Sequence, residues 1–144
     1  MSDTSVTYKV CPEISNEALN ALFATAWENY IPREFASVLS RSLAYICAYS
    51  EEVLVGFVNL AWDGGIHAFL LDTTVHSAYQ RRGTGQELVA QAVLVARERG
   101  IEWIHVDYEP HLQGFYEACG FKPTQAGLIA FALTGSIDYL GRQC

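Results

Sequence analysis

The sequence predicts an α+β domain built on a mixed, mostly antiparallel sheet, and three observations carry that prediction. Short β-rich segments sit at hairpin spacing in the first half of the chain. A long amphipathic helix follows, flanked by strands, which is the signature of a β-α-β crossover. A further short helix and two strand-like segments close the chain, for a total of about seven strands and about four helices.

In order, Val6–Val10 alternates weakly and reads as a first strand, stopped by Pro12. Ser15 is placed to cap a helix whose apolar stripe runs through Leu19, Leu22, Phe23, Ala26 and Trp27. Pro32 breaks the chain, and Arg33–Leu43 is expected to form a second, shorter helix. Ala44–Tyr49 and Val53–Ala61 are strands separated only by Ser50, Glu51 and Glu52. Asp63, Gly64 and Gly65 make another turn into a strand over Ile66–Val75. Thr84–Arg99 is the long helix, with Leu88, Val89, Ala92, Val93 and Ala96 on one face and Gly100 as its stop. Ile101–Tyr108 returns as a strand, and residues 111–119 form a short helix ended by Gly120. Phe121–Pro123 and Leu128–Leu133 are expected to pair as a last hairpin, followed by a loosely held tail over 134–144.

Composition narrows the class. At 144 residues, 51% of them hydrophobic, the chain fits one domain over 1–144 and is too rich in apolar residues to be disordered. Nine basic against sixteen acidic residues give a formal charge of −7, which argues against nucleic acid as a partner. No apolar run approaches the ~20 residues of a membrane-spanning helix, and residues 1–5 carry no signal-peptide pattern. Cys11, Cys47, Cys119 and Cys144 have neither metal-ligand nor disulfide-framework spacing. A reduced, cytoplasmic protein with no metal is the expectation.

The chemistry concentrates at Gln80-Arg81-Arg82-Gly83-Thr84-Gly85, between a strand and a helix. Gly83 and Gly85 let the backbone turn with no side chain in front of its N–H groups. Those N–H groups belong to a helical first turn without internal acceptors, so a diphosphate fits there, helped by Arg81 and Arg82. The ordinary alternative is a strand-to-helix turn with two solvated arginines. No Gly-Lys-Ser/Thr follows, so this is not a Walker loop, and the third glycine of the dinucleotide fingerprint is missing. A second stretch, Phe115-Tyr116-Glu117-Ala118-Cys119-Gly120-Phe121, reads in isolation as a short amphipathic helix ended by glycine.

Taken together, the two stretches resemble the GCN5-related N-acetyltransferase (GNAT) family. Gln80, Gly83 and Gly85 match its pyrophosphate pattern, and Phe115, Tyr116, Gly120 and Phe121 match a later motif after the fifth strand. The resemblance covers residues 6–133. It implies a GNAT fold whose crossover carries the pyrophosphate loop, with acetyl-CoA as the acyl-donor cosubstrate. It further implies that Thr73, Thr74 and Val75 offer a strand edge to the pantetheine amides, where the fourth and fifth strands splay apart. Arg81, Arg82, Gly83, Thr84, Gly85 and Gln86 fall on the pyrophosphate loop, and Glu109, Phe115 and Tyr116 complete the cofactor set.

The resemblance implies that Tyr116 protonates the departing thiolate. A phenol of ordinary pKa near ~10 is protonated at neutral pH and so can do this. The alternative is an aromatic that only lines the cofactor tunnel. Two departures stand out. Glu109 occupies a position where many relatives carry asparagine, and Ile104 replaces the glutamate that some protein N-terminal acetyltransferases use as base. Asp72 and Glu109 are therefore carried as catalytic candidates, beside Asp107 or a water relay. Strict alternation would put Asp72 on a face with Leu70 and Thr74, away from Phe69 and Leu71. His67 lies on the other face, eight residues before Val75; His105 and His111 are candidate substrate contacts or solvated histidines.

Acceptor specificity is expected from Trp27, Glu28, Tyr30, Phe35, Trp62 and Asp63, with Tyr30, Trp62 and the acids forming a negative aromatic mouth. The expected reaction is direct acetyl transfer to a primary amine of a small molecule or peptide, in a homodimer as is common in the family. Competing readings are a catalytically silent acetyl-CoA-binding module and a transferase of another acyl-CoA.

Overall fold

A computed structural model of the chain describes residues 5–131. Within these, the chain divides between Val106 and Asp107 into two compact units.

The first unit holds a five-stranded sheet in simple chain order. Its strands are β1 (Val6–Val10), β2 (Ser42–Ser50), β3 (Val53–Trp62), β4 (His67–Val75) and β5 (Trp103–His105). The first three pairings are antiparallel and the last, β4 with β5, is parallel. The parallel step is made by α3 (Thr84–Glu98), as the crossover pattern predicts. Helices α1 (Asn16–Ala26) and α2 (Ala36–Ser40) fill the connection from β1 to β2.

The helices take opposite faces of the sheet. Phe57 of β3 packs on Phe23 of α1, in a cluster with Leu19, Leu22, Phe35, Cys47 and Leu54. Its neighbour Gly56 points the other way, against Leu88 of α3. A Cβ on Gly56 would stand 2.9 Å from Leu88 Cδ1 and 3.1 Å from Ala48 Cβ, so the start of α3 seats directly on the backbone of β3. Helix α1 begins where the sequence places it: the Ser15 hydroxyl accepts the Ala18 N–H at 3.0 Å.

Three expectations need correction. The second helix is five residues long, not Arg33–Leu43, because Ser42 and Leu43 belong to β2 and Ser42 pairs with Ala61. β5 is three residues long where Ile101–Tyr108 was expected. The closing hairpin is not found among the described residues: residues 121–131 form no strand, so the described residues hold five strands where about seven were expected. Residues 132 and 133, and the tail at 134–144, lie outside the described residues. No helix among the described residues is long and apolar enough to cross a membrane.

Among its described residues the second unit contains a 3₁₀ turn, Pro110–Leu112, and helix α4 (Gln113–Ala118). Gly120, at φ +103°, ends α4 in a Schellman motif. The Phe121 N–H donates to the Tyr116 carbonyl at 3.0 Å, and the Gly120 N–H donates to the Glu117 carbonyl at 3.0 Å. This gives the spacing of Tyr116, Gly120 and Phe121 a physical basis.

Candidate active site

In the first unit the site is organised by a break in β4. Leu70 pairs with Leu60, and Leu71 with Asn59, but the next pair is Thr74 with Phe57. β4 thus spends one residue more than β3, a β-bulge, and Asp72 within it sits at φ +59°. The bulge inverts the alternation. Leu70 lies on the α3 face with Leu60, whereas Thr74 lies on the α1 face with Phe57, where it accepts a hydrogen bond from Trp27 Nε1 at 3.1 Å. The expectation that Asp72 shares one face with both Leu70 and Thr74 therefore fails, because alternation holds only along an unbroken strand.

Asp72 is engaged by Arg33, whose Nη2 lies 3.4 Å from its Oδ2. The guanidinium is held over the rings of Phe23 and Phe35, at 5.3 and 4.9 Å from their centroids. Burial pushes the Asp72 carboxyl pKa up, and Arg33 opposes that shift. Sequence reasoning missed Arg33: it lies 39 residues from its partner, and nothing local marks it.

The edge of β4 is only partly used. β5 covers it over His67–Phe69, opposite Trp103–His105, and goes no further. Within this unit β5 therefore does not cover the edge from Leu70 to Val75. Of the three residues expected on that edge, Thr74 is buried and commits its hydroxyl to Trp27 and to the Asp72 carbonyl, so only its backbone faces the edge. Thr73 and Val75 are half-buried.

From Val75 the chain passes directly into the glycine turn. His76 N–H extends the strand by donating to the Val55 carbonyl at 2.8 Å, and its Nδ1 caps the one-turn helix Ser77–Tyr79. The Gln80 amide reaches back to the Val75 carbonyl at 3.0 Å. Gln80 thus has a structural task, to fold the turn against the strand end. Arg81, at φ +66°, and Gly83, at φ +86°, both adopt the left-handed conformation, and the Arg82 guanidinium sits 5.0 Å over the Tyr79 ring. His76 and Tyr79, which sequence reasoning did not single out, are the supports of this loop.

The turn suits an anion. Gly83 is the N-cap of α3 and no side chain caps the helix, so the first-turn N–H groups keep their hydrogen-bonding capacity. A Cβ at Gly83 would meet no atom within 4 Å, so the space before the turn is open. Arg81, Arg82 and Gln86 are exposed beside it, and Gly85 is half-buried. Thr84 is buried, with its hydroxyl against Tyr8, and so contributes backbone rather than side chain. These residues fit a diphosphate.

Of the expected mouth, Phe35 is core and Tyr30 packs on that core with its hydroxyl bonded to Asn20. Trp27 stacks on Phe23 at 5.6 Å. Asp63 is turned into its own hairpin, accepting the Gly65 N–H at 2.7 Å, and that bond holds its pKa below the ordinary carboxylate value. Trp62, Glu28 and Asp63 itself are exposed.

In the second unit Tyr116 is buried and its ring is held on three sides: stacked on Tyr108 at 5.1 Å, and edge-on to Phe115 at 4.8 Å and Phe121 at 5.9 Å. Glu109 Oε1 lies 3.2 Å from His111 Nδ1, while Oε2 is buried without a hydrogen-bond partner.

Residues 11–121 match the model of the acetyltransferase (GNAT) family, and the chain belongs to that family. It is 26% identical over 104 residues to an uncharacterized ycf52-like N-acetyltransferase of Prochlorococcus marinus, covering 69% of this chain and 58% of that relative. The chain thus spans less than two thirds of that relative's length. Among solved structures it is similar to a GNAT-family acetyltransferase of Streptococcus pneumoniae TIGR4, with TM-score 0.71 and 26% identity over 89% of this chain and 98% of that one. An aminoglycoside N-acetyltransferase in complex with CoA shares the fold, with TM-score 0.72 and 17% identity over 91% of this chain and 97% of that one.

Proposed function

We propose that this protein is an N-acetyltransferase that moves an acetyl group from acetyl-CoA to a primary amine of a small molecule or peptide. The observation that carries the reading is the uncapped α3 N-terminus behind an open glycine turn, continuous with the edge of β4 that β5 leaves uncovered. Backbone N–H groups of α3, with Arg81 and Arg82, would hold the pyrophosphate. The backbone of Thr73, Thr74 and Val75 would pair with the pantetheine amides as an added strand does. Bound acetyl-CoA supplies the acyl group as a thioester. Tyr116, clamped by three aromatic rings, is assigned as proton donor to the leaving thiolate, with Phe115 beside it lining the cofactor. The buried, unpartnered Glu109 Oε2 is an acceptor suited to a ligand N–H. Asp72, tied to Arg33, is assigned to orienting the amine rather than to removing its proton. The free thiols Cys11, Cys47 and Cys119 support a cytoplasmic setting as part of this proposal.

The test is a thermal-shift titration with millimolar acetyl-CoA, followed by an amine screen with thiol detection. A rise in Tm is expected in the native protein and its loss in Gly83→Val, whose φ of +86° a β-branched residue cannot adopt without strain. No rise in the native protein would remove every CoA-based reading. A rise with no turnover across the amines would select the silent binding module, and turnover only with longer acyl-CoAs would select the other transferase.

A further inference from the structure

The point where β4 and β5 part company is occupied by two histidines. His105 is the last residue of β5 and pairs with Phe69, the last residue of β4 that β5 covers. His67 pairs with Trp103 one step earlier on the same face. His67 Nδ1 and His105 Nε2 are 2.8 Å apart, and the His105 ring stacks on Phe69 at 4.9 Å. Neither ring is buried: His105 is exposed and His67 half-buried.

At 2.8 Å one ring nitrogen must carry the shared proton and the other must accept it. Two imidazolium rings would place N–H against N–H, so the bond requires at least one neutral ring. His67 Nε2 and His105 Nδ1 then face outward from the pair, one as a protonated donor and the other as a lone-pair acceptor. A proton accepted at the outer lone pair moves the shared proton across to the second ring. That ring, now cationic, releases the proton on its own outer nitrogen to water. One proton enters and one leaves, and the pair returns to neutrality with its tautomers exchanged.

We infer that His67 and His105 form the proton-accepting pair of the transfer reaction, His105 receiving the proton of the attacking ammonium at the closed end of the β4 edge and His67 passing it to solvent. The inference rests on the acetyl-transfer reading, since it takes the part of β4 beyond β5, from Leu70 to Val75, as the donor site. It supplies the base that Asp72, engaged by Arg33, does not offer. The charged and uncharged groups around the pair are few. Phe69 and Trp103 are uncharged; Asp63 accepts the His67 main-chain N–H at 3.3 Å and acts on His67 electrostatically; Glu102, before β5, is an exposed carboxylate.

The pair is tested first without acetyl-CoA, by ¹⁵N NMR of the histidine rings across pH. Linked titration of the two rings is expected, reducing to one ordinary step in His67→Gln or His105→Gln. Independent titration in the native protein would overturn the inference. With acetyl-CoA, His105→Gln should keep the thermal shift and lower kcat/KM at neutral pH by about 10²–10⁴. Its acidic limb should leave the imidazole range and follow the ionisation of the amine, and added imidazole should restore part of the rate. His67→Gln should move the limb the same way with a smaller loss. A native rate and limb in both variants, with the thermal shift intact, would sink the pair as base. Loss of the shift in the native protein would instead strike the acetyl-transfer reading. Should His105→Gln not fold, His105→Asn and the native ring titration decide the matter.

Discussion

Gly56→Ala changes one hydrogen to a methyl group, yet it strikes the seat of the proposed cofactor site. The new Cβ would lie 2.9 Å from Leu88 Cδ1, 3.1 Å from Ala48 Cβ and 3.4 Å from Thr84 Cγ2. Leu88 is completely buried and cannot swing into solvent, and the Ala48 methyl is fixed to the backbone of β2. The strain must move α3 or the sheet, and overpacking of this kind costs about 1–3 kcal/mol. At about 4 °C per kcal/mol for a chain of this size, Tm should fall by about 4–12 °C.

Because Thr84 is the first residue of α3, the displacement also reaches the N–H groups assigned to pyrophosphate. The acetyl-CoA thermal shift should shrink, with each 1.4 kcal/mol of lost binding raising Kd tenfold. Differential scanning fluorimetry with and without acetyl-CoA reads both effects. Leu88→Ala provides the internal check, since removing the obstructing methyl should make the two substitutions cost less together than their sum. A Tm for Gly56→Ala within about 1 °C of the native value would refute the seating of α3 on β3.

Gly114→Ala is the counterpart: no atom lies within 4 Å of its Cβ, so the exchange in α4 should raise stability by about 0.5–1 kcal/mol, read by urea denaturation. Tyr116→Phe keeps the ring contacts with Tyr108, Phe115 and Phe121 and should lower kcat by about 10²–10⁴; an unchanged rate would remove the phenol from the mechanism. The Cys47 thiol is pushed up to about 12 by burial, above its ordinary 9.0, so the folded state holds that proton more tightly than the unfolded chain. Its contribution is intact below pH 9.0 and is lost as pH rises toward 12, at up to ~1.4 kcal/mol per pH unit; Cys47→Ala should flatten that alkaline fall in denaturation midpoint. For the same reason Cys47 should resist alkylation at pH 8 while exposed Cys11 reacts, as mass spectrometry of the labelled protein would show.

What the sequence made legible is what is local. The cap at Ser15, the stripe of α1, the hairpin at Glu51 and the stop at Gly100 each depend on residues a few positions apart. So does the pairing of Tyr116 with Gly120 and Phe121, which a Schellman motif explains once the helix is seen. The failures are non-local. Arg33 and Asp72 are 39 positions apart, and His67 and His105 are 38, so no periodicity could join them. The Asp72 bulge hid for a different reason: β4 carries apolar residues on both faces, so an extra residue leaves no visible fault in the pattern. The left-handed preference of aspartate was the faint signal available. The short β5 and the absent strands in 121–131 show the limit of β-propensity, which reports fit to a pleated surface and not the presence of a partner.

The bulge and the short fifth strand together account for how β4 can serve two purposes at once. Up to Phe69 the strand is fully paired and its α1-side face presents His67 and Phe69 beside His105. From Leu70 onward β5 is gone and one edge is released, but a strand that only continued would keep presenting the same alternation. The extra residue at Asp72 resets it, turning Thr74 inward to Trp27, so that the chain leaves the sheet at Val75 anchored by a buried contact. That anchor matters because the glycine turn follows within five residues and is tied back to Val75 by Gln80. A stretch of β4 that β5 does not cover, held at one end by the histidine pair and at the other by the turn, suits an extended ligand at little further cost in backbone entropy. Deleting Thr73 would remove the bulge and shorten the edge by one residue while leaving Thr74 opposite Phe57, two positions after Leu71 and on the Trp27 face. The expected result is loss of the acetyl-CoA thermal shift in a chain whose β1, β2 and β3 remain paired.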